Sequence, residues 1–212
     1  MSRTVFVYDP TDLPPFVNPT GKQSRNPSHI WYRSCSGIWQ TVWLESVPEN
    51  HVTKLDVAAG MHGTVTATVH SNQTVPVEIS VLDDHGKVVG SGHGKSNSEF
   101  EFTVDSPKLW SPDSPVLYNL TVKLGEDVVS SYTGFRTVSR GVVDGIQRPL
   151  LNGKFVFHFG TLDQGFWPDG IYLAPNLEAL VFDLKTLKKY GMNMVRKHVS
   201  VALQWPRHPG GC

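Results

Sequence analysis

Apolar and polar residues alternate most regularly between positions 49 and 138. From Thr64 to His70, Val65, Ala67 and Val69 share one face and threonines the other. Val77, Ile79 and Val81 alternate with Glu78 and Ser80, and Phe100, Phe102 and Val104 with Glu99, Glu101 and Thr103. Val116, Tyr118, Leu120, Val122 and Leu124 alternate with Asn119, Thr121 and Lys123. With 52–57, 87–90 and 128–138 added, the pattern predicts seven short strands at a spacing near ten residues. A period of two buries one face and wets the other, which is the signature of antiparallel sheets packed over a shared core. Asp83-Asp84-His85-Gly86 fits a hairpin turn between two of the strands.

Elsewhere the periodicity changes. Thr4–Tyr8 is strand-like and is followed by a turn-rich stretch, where four prolines fall between Pro10 and Pro19. Ile30–Arg33 and Ile38–Glu45 are again strand-like. In the second, Ile38, Val42 and Leu44 share one face and Trp39 and Trp43 the other, so both faces are apolar and a central strand of a sandwich is predicted. Residues 139–153 read as a link. Phe155–Phe159, ending at Gly160, predicts a strand buried on both faces. Leu177, Leu180, Val181, Leu184 and Leu187 then recur at helical spacing, with Asn176 placed as the N-cap. Lys185, Lys188 and Lys189 suit the negative end of the helix dipole, and Gly191 supplies a stop. Met192–Val199 predicts a second strand, completing a βαβ unit.

The seven-strand region reads as a sandwich of immunoglobulin type. It lacks the cysteine pair of antibody domains, so burial alone must hold it. The two cysteines of the chain, Cys35 and Cys212, make neither a disulfide framework nor a metal-ligand pattern. Formal net charge is zero, which gives no argument for nucleic acid or an anionic membrane as partner. No apolar run approaches the roughly 20 residues that cross a bilayer, and the first residues are too short an apolar run for a signal peptide. Asn72-Gln-Thr and Asn119-Leu-Thr are glycosylation sequons. The histidines show no HExxH and no two-residue ligand spacing, so no metal and no cofactor is expected.

Several long words resemble one family. GTLDQGFWPDG (160–170) and NMVRKH (193–198) resemble the first two barrel strands and their loops in the family 2 glycoside hydrolases, relatives of β-galactosidase, β-glucuronidase and β-mannosidase. LWSPDSPVLYNLTV (109–122) and GFRTV (134–138) resemble that family's sandwich domain, and SGIWQTVWLE (36–45) the last strand of its jelly roll. The resemblance implies a mainly β chain. Residues 1–48 would be the end of a galactose-binding-like jelly roll, 49–138 an immunoglobulin-like sandwich, and 139–212 the start of a (β/α)8 barrel. The last part carries an atypical tail from about residue 200, rich in proline and glycine and without helical periodicity.

The reaction so implied is hydrolysis of a β-glycoside with retention, by two glutamates about 5–5.5 Å apart. One of these follows an asparagine in the family, yet this sequence contains no Asn-Glu pair, and its only glutamate beyond residue 138 is Glu178. The expectation is therefore a fragment of a family member, cut at both ends and inactive alone, with no catalytic residue in the chain. An edge of the sugar pocket is expected from Asp163, Gln164, Trp167 and Asp169 on the first loop and from Arg196 and His198 on the second strand. Two readings stand for Arg196 and His198: substrate contacts in an intact homologue, or a polar pair supporting the loop. For Asp163 and Asp169 the preferred reading is loop-capping hydrogen bonds, with sugar contact as the alternative. For Trp31 and Tyr32 a core or domain-interface role is the preferred reading, with a sugar-stacking loop as the alternative. The alternative function is a non-catalytic β-sandwich module that binds carbohydrate or protein.

Overall fold

The computed structural model describes residues 4–12, 22–39 and 42–198. In chain order, the first strands are β1 (Gln23–Ser24), β2 (Tyr32–Arg33), β3 (Val52–Ala59), β4 (Thr64–Ser71) and β5 (Pro76–Leu82). There follow β6 (Val88–Lys95), β7 (Glu99–Thr103), β8 (Tyr118–Leu124), β9 (Asp127–Thr133) and β10 (Val138–Val143). The last elements are β11 (Ile146–Leu151), β12 (Lys154–Phe155), β13 (Gly160–Asp163), α1 (Leu177–Lys189) and β14 (Met194–Lys197). The chain is mainly β. It divides into two compact units, one made of Glu45–Phe157 and the other of the described residues within Met1–Leu44 and His158–Leu203.

In the first unit, β3-β4-β7 form a three-stranded sheet and β6-β5-β8-β9 a four-stranded one, all pairs antiparallel. These seven strands match the alternating segments of the sequence. Val65 and Val69 from one sheet meet Ile79, Val81, Leu120 and Val122 from the other in a single core, all almost wholly buried. Each such side chain stabilises the fold by about 1.5–3 kcal/mol. Gly92 and Gly94 on β6 explain how the two sheets approach at one edge. A Cβ on either would sit inside the ring of Phe102 or Phe100, so the rings lie directly on bare backbone. The turn before β6 forms as its residues suggest: Asp83 Oδ1 accepts from the N–H groups of His85 and Lys87 at 3.0 and 2.9 Å, and Gly86 takes φ +77°. One acid of the sandwich is not on a wet face. Asp127 is buried at the start of β9, where Oδ2 accepts from Val52 N at 2.7 Å and ties β9 to the start of β3. The predicted strand 128–138 stops at Thr133; Gly134–Thr137 leaves the ladder, with Phe135 wholly buried in the core.

The supposed link at 139–153 is instead a small antiparallel sheet of order β10-β11-β12. Its two turns are Asp144-Gly145 (φ +53° and +74°) and Asn152-Gly153 (φ +52° and +74°). Both central residues are left-handed in each, as the favoured two-residue hairpin turn requires. Asn152 also locks the hairpin down. Its Oδ1 accepts from Thr137 N at 2.9 Å and its Nδ2 donates to Trp110 O at 3.0 Å.

Three other expectations are corrected. Phe155–Phe159 is not a buried strand: Phe155 closes the small sheet, while Phe157 and Phe159 are exposed and the parallel strand begins only at Gly160. Among the described residues of Ile38–Glu45 no strand forms, and Val42, Trp43 and Leu44 lie exposed. Thr4–Tyr8 likewise forms no strand among the described residues, with Phe6 exposed. For Ile38–Glu45 and Thr4–Tyr8 the side-chain pattern suits a strand, but among the described residues it is not taken up in a ladder. Gln40, Thr41, Val199 and the tail at 200–212 lie outside the described residues.

Candidate functional site

In the second unit, β13 and β14 pair in parallel, with Leu162 opposite Arg196 and Asp163 opposite Lys197. Such a pair needs a crossover, and α1 supplies it. Asn176 caps the helix as its position in sequence suggests, its Oδ1 accepting from Ala179 N at 2.8 Å. At the other end Gly191 N donates to Lys188 O at 2.9 Å and Met192 N to Leu187 O at 3.1 Å, with Gly191 at φ +80°. That bond pair is the Schellman stop. Gly160 lets the strands meet, because a Cβ there would collide with the Met194 carbonyl.

The C-terminal ends of β13 and β14 hold the best-defined polar group of the unit. Asp163 Oδ2 accepts from Lys197 Nζ at 2.7 Å, and Oδ1 accepts from Gly165 N, also at 2.7 Å. The backbone N–H of His198 donates to the Asp163 carbonyl at 2.9 Å, extending the parallel ladder by one residue. Gly165 has φ +72°, and a Cβ at that position would stand 2.9 Å from Lys197 Nζ, so glycine gives the ammonium its path to the carboxylate. Partial burial works against the charge of Asp163. The hydrogen bonds from Lys197 and Gly165 and the nearby ammonium charge outweigh it and hold the carboxyl below the usual aspartate range. With both oxygens engaged and ionised, Asp163 can accept hydrogen bonds and orient neighbours; it is poorly suited to donate a proton.

An aromatic cluster adjoins this loop. Tyr32 stacks on Phe166 with ring centres 3.7 Å apart and planes within 2°. Phe166 lies 5.1 Å from Tyr172, and Tyr172 lies 5.3 Å from Trp39. Gln23 Nε2 donates to the Tyr172 hydroxyl, while its Oε1 accepts from Cys35 N at 3.2 Å. Lys22 Nζ donates to Gln164 Oε1 at 3.4 Å. Partial burial first, and then Cys35, push the Tyr172 hydroxyl up from its ordinary pKa.

Asp163 and Gln164 thus lie on the segment whose Phe166 stacks on Tyr32, with Arg196 and His198 flanking Lys197 on and just past β14. Trp167 is half-buried and closes its loop on itself, exchanging backbone hydrogen bonds with Ile171 at 2.7 and 3.2 Å. Asp169 is exposed in the following turn, Arg196 is exposed, and His198 is half-buried. Trp31 is exposed beside Tyr32. The residues missed by sequence reasoning are Lys197, Phe166, Tyr172, Gln23 and Lys22. The parallel register, which sets Lys197 opposite Asp163, is not visible in either segment alone. No cluster of three or more potential metal ligands occurs among the described residues, and no described helix is long and apolar enough to cross a membrane.

Residues 46–136 match the family model described as glycosyl hydrolases family 2. A β-galactosidase from Halalkalibacterium halodurans is 30% identical over 179 residues, a match covering 76% of this chain and 17% of the relative. A β-galactosidase from Bacteroides ovatus is 28% identical over 226 aligned residues, covering 90% of this chain and 25% of the relative. Among solved structures, a Faecalibacterium prausnitzii β-glucuronidase superposes with a TM-score of 0.59 at 26% identity, covering 71% of this chain and 24% of that one. The chain thus spans a quarter or less of the length of these relatives. Through its residues 46–136, it belongs to the glycosyl hydrolases of family 2.

Proposed function

We propose that this chain is part of a retaining β-glycosidase, contributing a scaffold and one edge of the sugar pocket but not the reacting groups. Residues 1–48 are read as the end of a jelly roll, 49–138 as an immunoglobulin-like sandwich and 139–212 as the opening of a (β/α)8 barrel. The observation that carries this reading is the parallel pair β13 and β14, whose C-terminal ends bear Asp163 beside Arg196, Lys197 and His198. Active sites of barrels form at that end of the strands, because loops there converge over the sheet. Asp163 is an anchored acceptor for sugar hydroxyls, and Gln164, Trp167, Asp169, Arg196 and His198 offer further polar and aromatic surface. Tyr32 stacks on Phe166 of the same loop, and its exposed neighbour Trp31 offers a second ring suited to stacking on a sugar.

Retaining hydrolysis needs a proton donor and a nucleophile on opposite sides of the anomeric carbon. Asp163 is held ionised and Glu178 lies in the first turn of α1, stabilised by the helix dipole. Among the described residues, no second carboxylate acts on Asp163. The chain by itself is therefore expected not to turn over aryl β-galactosides, β-glucuronides or β-mannosides. Release of the phenol above a protein-free blank by the purified chain would overturn that expectation. Calorimetric binding of a sugar without turnover would favour the alternative, a carbohydrate-binding module. The size of the native polypeptide decides whether the reacting groups travel with it. On this reading, an antibody to the sandwich detects a species several-fold heavier than 23.5 kDa.

A further inference from the structure

The four-stranded sheet presents on its outer face a feature that the glycosidase reading does not use. Asn119 and Thr121, the first and last residues of the sequon Asn119-Leu120-Thr121, lie on β8. Residues two apart on a strand point to the same face. Here that face is the wet one, since Tyr118, Leu120 and Val122 fill the core while Asn119 is exposed and Thr121 half-buried. Asn119 stands directly opposite Tyr132 of β9 in the antiparallel ladder, and Tyr132 is itself 59% exposed. Directly opposed side chains on one face lie about 4.5–5.5 Å apart at Cβ. The first sugar on Asn119 would therefore rest against an aromatic ring, a surface that sugars favour because one face of each is apolar.

The other sequon is differently placed. Asn72 lies just beyond β4, where its Nδ2 already donates to Glu49 O at 2.8 Å and its Oδ1 accepts from Ser71 Oγ at 3.2 Å. The bond to Glu49 holds the turn between β4 and β5 against residues preceding β3. A sugar on Nδ2 would have to share its nitrogen with the Glu49 carbonyl.

We propose that Asn119 is an acceptor for an N-linked oligosaccharide and that Asn72 is not. The donor class is a lipid-linked diphospho-oligosaccharide. In the transfer, the bond from the sugar's anomeric carbon to the diphosphate oxygen breaks and its electron pair leaves on that oxygen. A bond from the same carbon to Asn119 Nδ2 forms, and one amide proton passes to a base of the transferase. The folded sheet then accepts the product without rearrangement, because the acceptor and Tyr132 both face solvent.

The test uses the native protein taken from its source. It is treated with peptide N-glycosidase in heavy-oxygen water, digested with trypsin and analysed by mass spectrometry. The expected result is conversion of Asn119 to labelled aspartate in the peptide 109–123, with Asn72 in the peptide 55–87 unlabelled. An unlabelled Asn119 overturns the proposal, whether the chain never meets the transferase or the site is refused. Labelling at Asn72 overturns the selectivity. A second measurement separates the role of Tyr132 from mere access. Tyr132→Ser should lower the melting temperature of the glycosylated chain more than that of the enzymatically deglycosylated chain, and equal shifts would remove Tyr132 from the account.

Discussion

Asp163 shows what single residues do in this chain. Its neighbours settle its charge: burial opposes ionisation, while Lys197 and the Gly165 N–H favour it more strongly. The direction of the shift fixes its pH behaviour. A carboxyl whose folded pKa is depressed contributes stability above its unfolded pKa and loses it as the pH falls through the folded value. The Asp163–Lys197 bridge is therefore expected intact at neutral pH and released only in acid, below the ordinary aspartate range. In Lys197→Met the lowering hydrogen bond and charge disappear while burial stays, so the carboxyl should titrate higher than in the parent. A carbon-detected NMR titration of Asp163 in both proteins reads this directly; an unchanged midpoint would mean that Lys197 does not set the charge. The importance of Asp163 is suggested by the sequence, whereas Lys197 is not, because a cross-strand partner depends on a register that neither segment specifies.

At the scale of elements, legibility followed the availability of partners. The strands from β3 to β9 show in the sequence because each has one buried face and neighbours on at least one side, so the period of two is enforced by the core. Ile38–Glu45 carries as strong an apolar pattern yet forms no strand among its described residues, since a pattern says which face could be buried and not whether a ladder exists. The hairpin β10–β11 was missed for the opposite reason. Val138–Val143 is weakly patterned, but Asp144-Gly145 between β10 and β11 and Asn152-Gly153 between β11 and β12 are dipeptides that two-residue hairpins prefer. Packing between elements is less visible still. Nothing in the string GSGHGK indicates that Phe100 and Phe102 cover its glycines. Gly92→Ala would drive a methyl group into the Phe102 ring, and overpacking of this kind costs about 1–3 kcal/mol. The urea midpoint of the variant should fall with an unchanged slope. A midpoint equal to the parent's would mean that the ring moves away freely and that the close approach is incidental.

Over the whole molecule, the core is unevenly distributed. Every buried hydrophobic residue among those described falls between Val52 and Phe135, in the unit Glu45–Phe157. Helix α1 has a correct cap at both ends and an apolar stripe of Leu177, Leu180, Val181 and Leu184, yet buries none of its residues. Local signals thus make the helix, but caps contribute only about 1 kcal/mol and short helices gain most of their stability from packing. Regions with few buried apolar contacts open at low free-energy cost and are cut first by proteases. Limited digestion with a protease of broad specificity should accordingly remove β13, α1 and β14 early and leave a resistant fragment of about half the chain's mass. Asn152 refines where that fragment ends. Because it ties the turn before β12 to Thr137 and Trp110, β10 and β11 should remain attached, with the C-terminus near Phe157. In Asn152→Ala both bonds are lost and a left-handed residue is strained, so cleavage should move back toward Thr137 while the sandwich itself survives. A parent fragment ending at Thr137 would show the hairpin to be a loose connector after all. The absence of any resistant fragment would show that burial in the sandwich is not sufficient to hold it.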